Sequence, residues 1–130
     1  MAALNCSGPD KIEVLTLIKA VFGWEPQTAP DPETARVAVT LLDAHGHRAA
    51  SDLRALSHQV PTESRLAASL KATLGEASRR LGLPLPNDEQ AMKRAQNLAL
   101  LVEALHRATD TAQGELDRAA GRTTITKGPQ

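Results

Sequence analysis

The sequence predicts an all-α protein, an antiparallel bundle of about four helices. Three observations carry this. Apolar residues recur at steps of three and four through four separate segments, which is the helical period. Capping residues stand at the starts of three of those segments, and glycine or proline stands at their ends. Tight links at 60–62 and 82–87 make the second, third and fourth segments antiparallel neighbours.

The first segment opens at Asp10, which with Glu13 forms a D-x-x-E capping box. Ile12, Leu15, Ile18 and Phe22 follow as its expected buried face, and Gly23 stops it. Residues 25–30 form a linker. Asp31, Pro32 and Glu33 then supply an N-cap, a proline at the first helical position and a first-turn acid. Ala38, Leu42, His45, Ala49, Leu53, Leu56 and Val60 make one continuous stripe before Pro61 ends the second segment.

The third segment carries Leu66, Leu70, Leu74, Ala77 and Leu81, with Gly82 at C′ and Pro84 and Pro86 forbidding continuation. Asn87 with Gln90 caps the fourth, whose apolar side is Ala91, Ala95, Leu98, Val102, Leu105, Ala112 and Leu116. Gly121 is its expected end, so residues 1–121 read as a single domain and 122–130 as a flexible polar tail. At about 1.5 Å per residue, the second and fourth helices span roughly 45 Å and the third about 30 Å. That mismatch leaves apolar positions near Leu105, Ala112 and Leu116 uncovered and predicts a homodimer there.

Composition narrows the function classes. Lys plus Arg and Asp plus Glu number 15 each, so the phosphate-neutralising excess of a nucleic-acid binder is missing. Aromatics are 2% of residues, too few for base-stacking platforms. The single cysteine, Cys6, cannot form an internal disulfide, and no apolar run reaches the roughly 20 residues of a membrane span. A cytoplasmic protein with no membrane partner is expected.

One stretch, His45-Gly46-His47, breaks the helical pattern. Glycine costs a helix interior roughly 1 kcal/mol relative to alanine. Residues two apart on a helix diverge by about 200°, so the two histidines cannot share a metal. Two readings remain. Gly46 lets a neighbouring helix approach while His45 is a hydrogen-bonded core histidine, or the missing side chain opens a cleft for a ligand.

Glu103 and His106 have the E-x-x-H spacing of di-iron bundles, but a second copy is lacking, so a solvated i, i+3 pair is the better account. Glu76 stands at ion-pair spacing from Arg79 and Arg80, which also suit a helix C-terminus. The functional alternative is an anion clamp. The chain contains neither a phosphate loop nor a nucleophile elbow nor a C-x-x-C motif.

The run "HGHRAASDLRAL…VPTESRLAASLKATLGEASRRL", followed by "RAQNLALLVEALHRA", resembles a family of small actinobacterial proteins associated with natural-product biosynthesis. The family pattern has a glycine-histidine pair heading an apolar helix, a V/L-P turn and a helix ending E-A-x-R-R-L. The resemblance covers about residues 12–108, and Gly46, His47, Pro61, Glu76, Arg79 and Arg80 match. His45 stands where the pattern has arginine.

The resemblance implies a maturation protein acting on a modified peptide. Its sharpest form is the small helical protein of cinnamycin-type lantibiotic clusters, which joins a lysine amine to dehydroalanine. On that reading His47 and Glu76 handle a proton or orient a group, Arg79 clamps a carboxylate or enolate, and Gly46 and Arg80 bind substrate, with no cofactor and no metal. The alternative is a non-catalytic dimeric interaction or regulatory module.

Overall fold

The computed structural model describes residues 11–127, and the side chains of residues 12–121. It contains α1 (Lys11–Phe22), α2 (Pro32–Ser57), α3 (Arg65–Arg80) and α4 (Ala91–Lys127), with no strand among the described residues. None of these helices is long and apolar enough to cross a membrane.

Local chemistry sets the helix ends. The Asp31 carboxylate accepts the Thr34 N–H at 2.8 Å, and Pro32 occupies the first turn of α2. The Ser64 hydroxyl accepts the Ala67 N–H at 3.0 Å and starts α3. Asn87 accepts the Gln90 N–H at 3.0 Å just before α4. Gly82 turns the chain out of α3 with φ +77°, a conformation that favours glycine. Asp10 lies outside the described residues.

Gly121, the expected stop of α4, is helical, and the helix runs on to Lys127. A glycine ends a helix when the backbone turns left-handed, and among the described residues only Gly82 does so. In a right-handed helix glycine costs only about 1 kcal/mol. No break therefore separates residue 121 from those that follow it up to 127.

Four contacts fix the helix directions. Arg36 pairs with Asp88 at 2.6 Å, and His45 meets His106, so α2 and α4 run the same way. Gly82, at the end of α3, donates its N–H to Asp43 at 2.9 Å, so α3 runs back along α2. Gln96 donates to the carbonyls of Val21 and Trp24, which places the end of α1 beside the first turns of α4. The result is down-up-down-up with short connections.

The α2–α4 contact is the most extensive, with α3 on one side and α1 on the other. Its residues are small. Ala35, Ala38, Ala49 and Ala50 of α2 and Ala91, Ala95, Ala99 and Ala112 of α4 are buried. Around this alanine seam Leu42, Leu53, Leu70, Val102 and Leu105 are fully buried, each contributing about 1.5–3 kcal/mol.

Two expectations are corrected. The buried face of α1 is Val14, Ile18 and Val21, whereas Ile12, Leu15 and Phe22 are 75%, 44% and 40% exposed. Helix α1 is apolar on two sides, so periodicity alone admitted either. The apolar positions expected to be bare on α4 are covered within the chain. Leu105 and Ala112 are fully buried, and Leu116 packs against the core. His45 is the fourteenth residue of α2 and His106, which it meets, the sixteenth of α4, so the two helices start within about two residues of each other and α2 is matched along its length by α4. The extra length of α4 falls beyond Leu116.

Candidate functional site

The cap at Asp31 sets the phase of α2, and that phase carries His45 into the buried stripe between Leu42 and Ala49. His45 is 9% exposed. On α4, His106 follows Leu105 and sits at the edge of the core, half-buried. The two imidazoles meet across the seam with Nε2 to Nε2 at 2.9 Å, ring centroids 5.1 Å apart and planes at 88°. A guanidinium nitrogen of Arg48, one turn along α2, lies 3.4 Å from His45 Nδ1.

Donor and acceptor chemistry assigns one arrangement of protons to these contacts. A guanidinium only donates, so His45 Nδ1 accepts from Arg48. Neutral His45 then carries its proton on Nε2 and donates it to His106 Nε2. His106 in turn carries its proton on Nδ1, which is a buried atom. A second proton on this axis would set N–H against N–H at 2.9 Å. In this geometry the pair holds at most one proton beyond neutrality.

The pair forms one wall of a crevice of about 340 Å³ between α2 and α4, bordered also by Arg48, Ser51, Asp52 and Thr109. The Thr109 hydroxyl donates to the Leu105 carbonyl at 2.8 Å, which leaves its oxygen able to accept. The wall thus combines one guanidinium, one carboxylate, a serine hydroxyl and a two-imidazole proton acceptor. Among the described residues, no three side chains of the metal-binding types come together. At the His45–His106 pair the Arg48 charge beside His45 opposes a cation.

The residues picked out from the sequence fall into two separate groups. His47 points away from His45 and is 56% exposed on its side chain. Its Nε2 lies 3.4 Å from an oxygen of Asp43, whose other oxygen accepts the Gly82 N–H at 2.9 Å. Glu76 is held by Arg79 and, at 2.7 Å, by Arg80. The hydrogen bond from Arg79 and the charge of Arg80 hold the Glu76 carboxyl below its ordinary range. That makes Glu76 a weak proton acceptor and engages Arg79 and Arg80 with it. No hydrogen bond or ion pair joins this group to His47.

Gly46 receives a side chain of the protein itself. A Cβ there would stand 2.8 Å from Leu81 Cδ2 and 3.7 Å from Val102 Cγ2. The cleft reading of Gly46 gives way to the packing reading: its missing side chain lets the end of α3 seat on α2. Glu103 pairs with Arg107 at 3.6 Å, while His106 turns inward, so the solvated Glu103–His106 pair is also corrected.

The His45–His106 pairing is not local in the sequence, because the two residues lie 61 apart. The available signal was phase. His45 lies in the apolar stripe of α2, and His106 adjoins Leu105 on that of α4. Comparison with protein-family models, with characterised proteins and with solved structures finds no match for this chain.

Proposed function

We propose that this chain is a small helical maturation protein acting on a peptide natural product, and that the His45–His106 crevice is where a reacting group of the peptide exchanges a proton. The observation that carries the reading is the 2.9 Å imidazole contact at the crevice wall. Two buried-edge imidazoles that accept one proton between them are suited to general base work near neutral pH. The resemblance to natural-product proteins supplies the substrate class.

Lysinoalanine closure is the sharpest form. The lysine Nζ bonds to the β-carbon of dehydroalanine, the carbon–carbon double bond opens, and the α-carbon gains a proton. The ammonium must first lose one. With an ordinary pKa of about 10.4, this costs about 4.6 kcal/mol at pH 7. Desolvation in a crevice lowers that cost, and the imidazole pair can take the proton. It would enter at His45 Nδ1 in place of the Arg48 contact, while the Nε2 proton shifts to His106. The same proton returns to the α-carbon, so no co-reactant is consumed. Arg48, freed from His45, is placed to stabilise the developing enolate or a neighbouring carboxylate. In this form His45 and His106 take the proton-handling part expected of His47 and Glu76, and Arg48 takes that of Arg79.

The test is conversion of a dehydrated precursor peptide. Bridge closure leaves the mass unchanged, so the readout is loss of thiol-reactive dehydroalanine together with altered fragmentation. Closure that depends on His106 supports the reading, and dehydroalanine left at the uncatalysed level contradicts it.

A second reading is the non-catalytic dimeric module. The exposed Ile12, Leu15 and Phe22 favour it, together with the groove they line beside Lys19 and Glu103. The apolar stripe and the two opposite charges suit a second copy of this chain. Light scattering that gives about 28 kDa, twice the chain mass of 13.8 kDa, supports it, and a mass near one chain contradicts it.

A further inference from the structure

We infer that the crevice between α2 and α4 binds a small oxyanion, a carboxylate or phosphate group, and takes up a proton with it. The inference rests on the proposed function in placing the ligand in that crevice. It concerns binding alone and requires no turnover.

Charge balance is the ground for it. The lining holds one guanidinium, Arg48, and one carboxylate, Asp52, which offset each other. With the imidazole pair neutral, the described lining residues sum to no net charge. An anion arriving beside Arg48 and the Ser51 hydroxyl leaves the site one negative charge in excess. The pair removes that excess by accepting one proton, at most one in this geometry, because the Nε2 atoms are 2.9 Å apart. A cation has no such compensation, since a neutral imidazole pair has no proton to give up near neutral pH. The asymmetry selects an anion.

The groups that bear on the pair come from both helices. Among the described residues that line the crevice, Arg48 and Asp52 come from α2 and His106 from α4. Glu103 and Arg107 pair with each other and line other grooves. Binding and protonation are therefore linked through one pair of rings, and each must strengthen the other.

Calorimetric titration of the full chain with inorganic phosphate and with acetate tests this, in two buffers of different ionisation heat. The expected result is saturable binding of one anion per chain, tighter at about pH 6 than at about pH 8, with net uptake of up to one proton per anion. Tighter phosphate identifies a phosphoryl ligand and tighter acetate a carboxylate, and both support the inference. Arg48→Gln should weaken binding about tenfold or more. His106→Gln should keep weaker binding and abolish proton uptake. Absence of saturable binding, binding without proton uptake in the parent chain, or unchanged uptake in His106→Gln would each overturn it. The parent measurement decides even if a variant fails to fold. Proton-linked anion binding without peptide conversion would sustain the inference and defeat the maturation reading. Conversion without anion binding would do the reverse.

Discussion

Leu81 lies over Gly46, so close that a Cβ on the glycine would stand 2.8 Å from Leu81 Cδ2. This contact seats the end of α3 on the middle of α2, and Gly82 secures it by donating to Asp43. The clash would fall on the mobile end of a half-buried leucine. Gly46→Ala should therefore change stability by no more than about 1 kcal/mol, because helix propensity offsets the displaced side chain. In a Leu81→Ala background the same change should stabilise by about 1 kcal/mol. Denaturant melts on the four chains give the coupling between the sites. Equal effects of Gly46→Ala in both backgrounds would remove the packing role.

Helix α3 depends on its cap. Ser64→Ala removes the acceptor for the Ala67 N–H and should cost about 1 kcal/mol. Ser64→Asp should retain most of that stability. A neutral effect of the alanine change would show that tertiary packing alone sets the start of α3.

The Asp31 carboxyl lies below its ordinary range, chiefly because the Thr34 backbone N–H bonds to it. A depressed folded pKa contributes stability above the unfolded value and loses it as pH falls through the folded one. The helix cap therefore weakens below about pH 4. Asp31→Asn keeps a good cap and removes the titration. Its melting temperature should vary less with pH across the acid range than that of the parent. Parallel curves would contradict the assignment.

Elemental analysis of purified protein should find no stoichiometric zinc or iron. The two imidazoles hydrogen-bond each other, and Arg48 places a positive charge beside one of them. Near one metal per chain, lost on changing His106 to alanine, would turn the pair into ligands.

Much of the fold was legible in local chemistry. Asp31, Pro32, Asn87 and Gly82 mark ends that the backbone obeys, whereas the Ser64 cap of α3 emerged only in the structure. The stripe from Ala38 to Leu53 predicted the buried face of α2, His45 included. What escaped was relational. The face of α1 depended on which of two apolar sides a partner would cover. The bareness of Leu105 depended on the axial offset of α4 against α2, which shows only in contacts distant in sequence such as His45–His106. The site failed for the same reason: His106 reads as a surface residue until the bundle places it against His45.

The two histidine edges of α2 predict different outcomes on peptide conversion. His106→Ala should lower the rate about a hundredfold, the scale of a lost general base. His47→Ala removes a solvent-facing contact with Asp43 and should change the rate less than about tenfold. The opposite ranking would return the site to the His47 edge.

The most direct test of the shared-proton pair is side-chain nitrogen NMR of the four histidines across about pH 5 to 8, the range in which imidazoles titrate. The pair predicts a proton on Nε2 of His45 and on Nδ1 of His106 at neutral pH. As pH falls, one proton should be taken up by the two rings together. Two independent, full titrations at His45 and His106 while the chain stays folded would contradict it.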